Sequence, residues 1–129
     1  MTLSIVRRWF NRLPPYERDN PLVLLNGVAY TPRQVLAEVE RGTPTGEKLQ
    51  KLIEAGRFGT QLNDAWKLAK IRLKEILKKY PEKPIVAVLP EEYTYTPSQL
   101  IKEIEQETPQ GVVWIKGEIQ QMARLMQLR

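Results

Sequence analysis

The chain of 129 residues contains neither cysteine nor histidine. Without cysteine it cannot form a disulfide scaffold or use thiolate chemistry. Without histidine it lacks the commonest metal ligand and general base. No apolar run reaches the roughly 18–20 residues that a membrane span needs, and Arg7 and Arg8 interrupt the N-terminal apolar segment, which argues against a cleaved signal peptide. These absences predict a cytoplasmic protein with no membrane span.

Sequence motifs of enzymatic chemistry are also missing. There is no nucleophile–base pair built on histidine or cysteine, no glycine-rich phosphate loop and no metal-ligand cluster. Two carboxylate pairs, Glu38 with Glu40 and Glu103 with Glu105, occur at equivalent places, but residues two apart on a helix do not face each other. We therefore expect solvated helix surface there, and a non-enzymatic protein with no catalytic residue, metal site or cofactor.

The sequence does contain a repeat. Residues 30–46 and 95–111 align at a constant offset of 65, and nine of the 17 positions are identical: Tyr30/Tyr95, Thr31/Thr96, Pro32/Pro97, Gln34/Gln99, Glu38/Glu103, Glu40/Glu105, Thr43/Thr108, Pro44/Pro109 and Gly46/Gly111. The apolar positions between them also agree. This pattern predicts an internal duplication.

Each copy is predicted to be a β-hairpin followed by two helices. In the first, Asn26-Gly27 favours a type I′ turn that pairs Leu25 with Val28 and Val23 with Tyr30. Thr31-Pro32 then begins a helix, with threonine as the N-cap, proline at the first helical position and Gln34 closing a capping box.

The second copy follows the same order with a longer turn at Pro90-Glu91-Glu92. Residues 112–115, Val-Val-Trp-Ile, have high β-propensity. The alignment to the first copy and the helical spacing of apolar residues up to Met126 nevertheless favour a C-terminal helix.

The fold class expected is α+β, with four segments along the chain. These are an N-terminal amphipathic docking helix (1–15), repeat unit A (21–59), a long basic connecting helix (60–80) and repeat unit B (84–129). The two hairpins can form one four-stranded sheet or stay separate, and exchange of units between two chains is a further alternative.

Both chain ends are amphipathic. Apolar residues follow a helical stripe near the N-terminus, and methionine and leucine do so near the C-terminus: Leu3, Val6, Trp9, Phe10, Leu13, Met122, Leu125 and Met126. Such stripes either pack on the protein's own core or dock on a partner. For residues 2–13, peripheral contact with an anionic membrane is another alternative.

The helix at 60–80 carries most of the net charge. Residues 66–80 sum to +5, whereas residues 81–107 sum to −4. The cations of this helix are the candidates for phosphate contacts: Lys67, Lys70, Arg72, Lys74, Lys78 and Lys79. Leu62, Trp66, Ala69, Leu73, Ile76, Leu77 and Tyr80 are expected on its apolar face. Alternatively, the acidic second unit meets the lysines, in the same chain or in a neighbour.

The leading hypothesis from the sequence is a non-enzymatic interaction or assembly protein, working in a homo-oligomer or a larger complex. The alternative is a nucleic-acid-binding accessory protein that uses the basic helix. The charged residues are mainly Lys, Arg and Glu, with only two Asp, which weakly indicates a thermophilic source.

Overall fold

The structure is a computed structural model that describes residues 2–88 and 92–129, and within them the side chains of residues 5–84 and 94–129. Its helices are α1 (Thr2–Arg12), α2 (Pro32–Arg41), α3 (Pro44–Ala55), α4 (Asp64–Lys78), α5 (Pro97–Gln106) and α6 (Pro109–Met126). Its strands are β1 (Val23–Leu25), β2 (Val28–Tyr30), β3 (Ile85–Val88) and β4 (Glu92–Tyr95). The fold is a helix-rich α+β arrangement, as expected.

The first hairpin has the predicted turn and register. Asn26 and Gly27 adopt φ values of 53° and 78°, the left-handed conformations of a type I′ turn. Val23 pairs with Tyr30 and Leu25 with Val28. β3 and β4 form a second antiparallel pair that is separate from the first, so the described strands make two sheets and not one. Of the predicted second turn, Pro90 and Glu91 lie outside the described residues, as does Leu89 at the end of its first strand. Glu92, which was predicted in the turn, instead begins β4 and pairs with Val88.

Four Thr-Pro pairs begin helices. Thr31 and Thr96 each form a complete capping box, with Gln34 and Gln99 as the reciprocal partners. Thr43 caps α3 and Thr108 caps α6. The predicted N-caps are therefore confirmed, and so is the helical state of residues 112–115.

The helices pack in two groups of three around one core. α1 packs on α2 and α3, while α4 packs on α5 and α6, and β1 is buried beneath α3 and α4. The core joins both groups: Val6, Trp9, Leu13, Leu22, Val23, Leu24, Leu25, Val35, Val39, Leu49, Leu52, Ile53, Leu68, Ala69, Leu73, Leu77, Leu100, Ile104, Ile115, Met122, Leu125 and Met126. α4 therefore belongs to the second group and also covers the strand of the first.

The two chain ends meet in this core. The indole of Trp9 is fully buried and donates a hydrogen bond from Nε1 to the carbonyl oxygen of Leu125, at 3.1 Å. Nearby, the guanidinium of Arg12 donates to the carbonyl oxygen of Leu128, at 3.2 Å. Two hydrogen bonds thus connect α1 to the end of α6, while α1 packs mainly on α2 and α3.

The docking interpretation of the terminal helices is corrected by this packing. The side chains proposed as docking residues lie in the protein's own interior: Val6, Trp9, Phe10, Leu13, Met122, Leu125 and Met126. A membrane or a partner could reach them only after α1 or α6 had left the core. The side chain of Leu3, the remaining candidate, lies outside the described ones.

The long helix is shorter than expected. α4 begins at Asp64 and ends at Lys78, so Leu62 and Tyr80 lie outside it. Leu62 is 98% exposed and Tyr80 is 58% exposed, which corrects their placement on the apolar face. Asp64 instead folds back to accept a hydrogen bond from the backbone N–H of Gln61, at 2.8 Å, and so turns the chain into the helix.

Candidate functional site

The lysines of α4 mostly have partners within the chain. Lys70 forms an ion pair with Glu107 at 3.1 Å, and Lys74 approaches Glu105 at 3.8 Å. These carboxylates belong to α5 and the residue after it, which α4 packs against. The acidic second unit therefore meets the basic helix in the same chain, one of the alternatives that the sequence left open.

The remaining predicted cations of this helix divide into three cases. Lys78 lies 4.0 Å from Glu75 on its own helix. Lys79 donates to the side-chain oxygen of Asn20, at 3.0 Å. Lys67 is exposed, and within the described part of the chain it forms no ion pair. The stripe is thus not a row of free cations.

Glu107 occupies a conformation that favours glycine. Its φ is 50°, and at the equivalent place in the first unit the left-handed residue is Gly42, with a φ of 67°. A side chain there costs roughly 1–2 kcal/mol. The Glu107 carboxylate accepts from Nε1 of Trp66 at 3.0 Å and from Nζ of Lys70 at 3.1 Å. Those two contacts tie the end of α5 to α4 and offset the backbone cost.

Arg72 lies in the core and not on the cationic face. Its side chain is fully buried, and Nη2 lies 3.0 Å from Glu17 and 3.4 Å from Glu118. Nη1 donates to the carbonyl oxygen of Pro21, at 2.8 Å. Its placement among the nucleic-acid candidates is therefore wrong. Arg72 is three residues after Ala69, so the helical spacing already put it on the apolar face.

The buried arginine joins three parts of the chain. Glu17 comes from the 3₁₀ turn Pro15–Glu17, Arg72 from α4 and Glu118 from α6. Burial raises the pKa of Glu118, and the Arg72 charge opposes that rise. Breaking such a pair leaves an uncompensated buried charge, so the contact ties the 3₁₀ turn after α1 to α4 and α6.

The repeated Glu, Thr and Gly positions form an interhelical contact. The hydroxyl of Thr43 donates to the carboxylate of Glu38 at 2.6 Å and also accepts from the backbone N–H of Gly46 at 2.9 Å. The Thr43 hydroxyl is the main reason why the pKa of Glu38 is lowered. Glu38 is therefore a partner of the next helix's cap, and not merely solvated surface.

The glycine in this contact allows two helices to touch. A β-carbon at Gly46 would lie 2.6 Å from the carbonyl carbon of Glu38, and one at Gly111 would lie 2.5 Å from that of Glu103. The second unit has the same hydroxyl–carboxylate contact, from Thr108 to Glu103. Each unit thus joins its two helices rigidly. The recurring Glu–Thr spacing of five residues was the signal for this contact in the sequence.

An open groove lies beside α3, with a volume of about 330 Å³. Its walls come from β1, α3 and the loop that follows: Leu25, Lys48, Lys51, Leu52, Ala55, Arg57 and Thr60. We call it the basic groove. Leu25 and Leu52 are buried and form its floor, while Lys48, Lys51 and Arg57 are exposed at its rim. Sequence reasoning missed it because the groove forms only when Leu25 of β1 packs beside Leu52 of α3, a tertiary contact that the sequence pattern does not show.

A second groove, of about 300 Å³, lies between α4 and α6. Its lining among the described residues is largely apolar: Leu73, Val113, Trp114, Gly117, Glu118 and Gln121. We call it the apolar groove. A β-carbon at Gly117 would have nothing within 4 Å. At the offset of 65, Lys48 and Leu52 of the basic groove correspond to Val113 and Gly117 of the apolar groove.

The described residues form neither a metal site nor a membrane span. They contain no group of three or more acidic side chains placed to hold a metal ion. No helix among them combines the length and the apolar character of a membrane span.

Comparison with known proteins adds no relative. No protein-family model matches the chain, and neither the curated proteins nor the solved structures include a match.

Proposed function

We propose that the protein is a non-enzymatic interaction module that works in a homo-oligomer or a larger complex. The observation that supports this most is that the second helix of each unit borders an open groove, at positions equivalent by the offset of 65. Grooves beside a rigid helix are common sites for a partner's segment. Here they replace the terminal helices as the candidate contact surfaces.

The rigidity of each unit supports the same proposal. The Glu–Thr–Gly contacts fix α2 on α3 and α5 on α6. Arg72, from the connecting helix, contacts Glu118 of unit B and the carbonyl oxygen of Pro21 at the start of unit A. A preorganised surface loses less conformational entropy when it binds. We further infer that the units arose by duplication of one hairpin–helix–helix segment; the predicted unit boundaries and the cytoplasmic location stay predictions.

Nucleic-acid binding through α4 has less support than it had from the sequence. Lys70 and Lys74 already have carboxylate partners, and Arg72 is buried. Phosphates would have to displace those carboxylates. Exposed lysines remain elsewhere, so the test of the proposal includes an oligonucleotide.

The test is the mass of the purified protein by light scattering over a range of concentrations. We expect a discrete oligomer, and dissociation when Gly117→Gln fills the apolar groove with a polar side chain. Gln120→Ala, at an exposed neighbouring position of α6, is the control and should keep the wild-type mass. A monomer at every concentration would contradict the homo-oligomer. A gain in mass with a mixed oligonucleotide at low salt only would favour the nucleic-acid alternative.

A further inference from the structure

The basic groove combines an aliphatic floor with a cationic rim. Leu25 and Leu52 are 5% and 6% exposed and offer the groove one face each. Lys48 and Lys51 stand three residues apart on α3, a spacing that brings side chains together on one helix face. Arg57 follows the end of α3, where its backbone N–H donates to the carbonyl oxygen of Leu52 at 2.9 Å.

The rim cations differ from Lys70, Arg72 and Lys74 of α4, which each have a carboxylate partner. Among the described side chains, those of residues 5–84 and 94–129, no ion pair involves Lys48, Lys51 or Arg57. The nearest polar contact of the Arg57 guanidinium is the carbonyl oxygen of Thr60, at 3.5 Å. Three like charges around one groove repel each other, and an acidic partner removes that repulsion.

The aliphatic floor of the basic groove favours one class of acidic partner over the others. Single-stranded nucleic acid binds by stacking its bases on aromatic side chains, and the groove's described lining is aliphatic. A membrane surface is bound by apolar side chains that protrude into it, whereas here the apolar atoms lie at the bottom of a concavity. An apolar side chain of a peptide can enter such a floor while neighbouring carboxylates reach the rim.

We propose that the basic groove binds an acidic peptide segment of a partner protein. A leucine-like side chain lies on Leu25, Leu52 and Ala55, and flanking carboxylates pair with Lys48, Lys51 and Arg57. The guanidinium can take a carboxylate in a two-pronged arrangement, which an ammonium group cannot. This inference rests on the proposed function and names the partner class of one of its two grooves.

The experiment uses a fluorescein-labelled synthetic peptide in which leucines alternate with pairs of glutamates, titrated with the full chain and followed by fluorescence anisotropy. The test variant combines Lys48→Gln, Lys51→Gln and Arg57→Gln. The control combines Arg8→Gln, Lys102→Gln and Lys116→Gln. All three control positions are exposed, and none forms an ion pair within the described residues. Both variants lower the net charge from +5 to +2, because each loses three positive charges.

We expect the groove variant to bind the peptide about 10- to 100-fold more weakly, since each rim contact contributes modestly. The control should stay within about threefold of wild type, the part due to net charge. A second pair tests the floor. Ala55→Glu places a carboxylate in the groove and should weaken binding by about tenfold, whereas Ala37→Glu, at an exposed position of α2, should not.

Three results would overturn the inference. Equal losses of peptide affinity in the groove and control variants would show that net charge alone attracts the peptide. Binding of an oligothymidine in place of the peptide, lost in the groove variant, would make the partner a nucleic acid. Absence of peptide binding at low salt would exclude an acidic peptide as the partner. A discrete oligomer in light scattering alongside that last result would leave the proposed function standing, so the two failures can be told apart.

Discussion

Replacing Gly111 by alanine tests the close approach of α5 and α6. The new β-carbon would lie 2.5 Å from the carbonyl carbon of Glu103 and 3.0 Å from the backbone nitrogen of Ile104. Both are backbone atoms of a helix, so neither can rotate away. The helices must separate, or the start of α6 must deform, and the contact between Thr108 and Glu103 is disturbed with them.

The expected change in the free energy of unfolding is the sum of two opposing contributions. Overpacking against a rigid neighbour costs about 1–3 kcal/mol, and a clash with backbone belongs at the upper end. Alanine gains at most about 1 kcal/mol over glycine in a helix. We therefore expect Gly111→Ala to lower the free energy of unfolding by about 2 kcal/mol. For a chain of this size the melting temperature should fall by about 6–10 °C.

The same helix provides a matched control. Gly117 is exposed, and its missing β-carbon would meet nothing within 4 Å. Gly117→Ala should therefore raise the free energy of unfolding by about 0.5–1 kcal/mol through helix propensity alone. The same substitution, glycine to alanine, is thus expected to lower the free energy of unfolding at residue 111 and to raise it at residue 117 of the same helix.

Urea unfolding followed by far-ultraviolet circular dichroism measures both variants. Two-state transitions with unchanged m-values would show that only stability has changed. A Gly111→Ala protein as stable as wild type, beside a stabilised Gly117→Ala protein, would refute the reasoning, because it would mean that the helices have room to spare at their crossing. Gly46→Ala should behave like Gly111→Ala.

Four further perturbations test the other contacts between elements. Thr43→Val should cost about 1 kcal/mol at neutral pH because it removes the cap of α3. The Thr43 hydroxyl also lowers the pKa of Glu38 in the folded state, so that contact stabilises above pH ~4.3 and is lost as pH falls; urea unfolding should show the difference from wild type narrowing in acid without closing, since the hydrogen bond from the N–H of Gly46 does not titrate. Arg72→Met should cost about 3–5 kcal/mol at neutral pH by leaving two carboxylates buried without a cation, and less in acid, because burial raises the pKa of Glu118 and favours its neutral form; an equal loss at both pH values would contradict this. Trp9→Ala should lower the free energy of unfolding by about 3–5 kcal/mol. Deletion of residues 1–13 should abolish cooperative thermal unfolding. A truncated protein that folds and only fails to assemble would restore the docking-helix interpretation.

Local structure was predictable because local chemistry determines it. The Asn26-Gly27 turn fixed the hairpin register, and the Thr-Pro pairs marked the helix starts, because both patterns act within four residues. The extent of α4 was predicted less well. Its cap residue Asn63 makes no capping hydrogen bond with its side chain, so the sequence had no strong signal for where that helix begins.

Tertiary placement was not predictable in the same way. A helical stripe shows that one face of a helix is apolar, but not whether that face packs on the chain itself or on a partner. Trp9 packs within the chain and donates a hydrogen bond to the carbonyl oxygen of Leu125. A row of lysines shows charge, but not that the following helix supplies Glu105 and Glu107 as counter-ions. The basic groove could not be predicted at all, since its rim depends on where the loop after α3 turns back toward β1.

The hydrogen bond between Trp9 and Leu125 also bears on how the chain folds during synthesis. It closes a loop of 116 residues, so the indole of Trp9 cannot make this hydrogen bond until residue 125 has been made. At about 5–20 residues per second, the indole waits roughly 6–25 s for this partner, while α2 and α3, which are made earlier, can already pack on other parts of α1. Contacts so far apart in sequence slow folding through their loop-closure entropy. Joining the ends and opening the chain elsewhere should therefore shorten this wait while leaving the final packing unchanged.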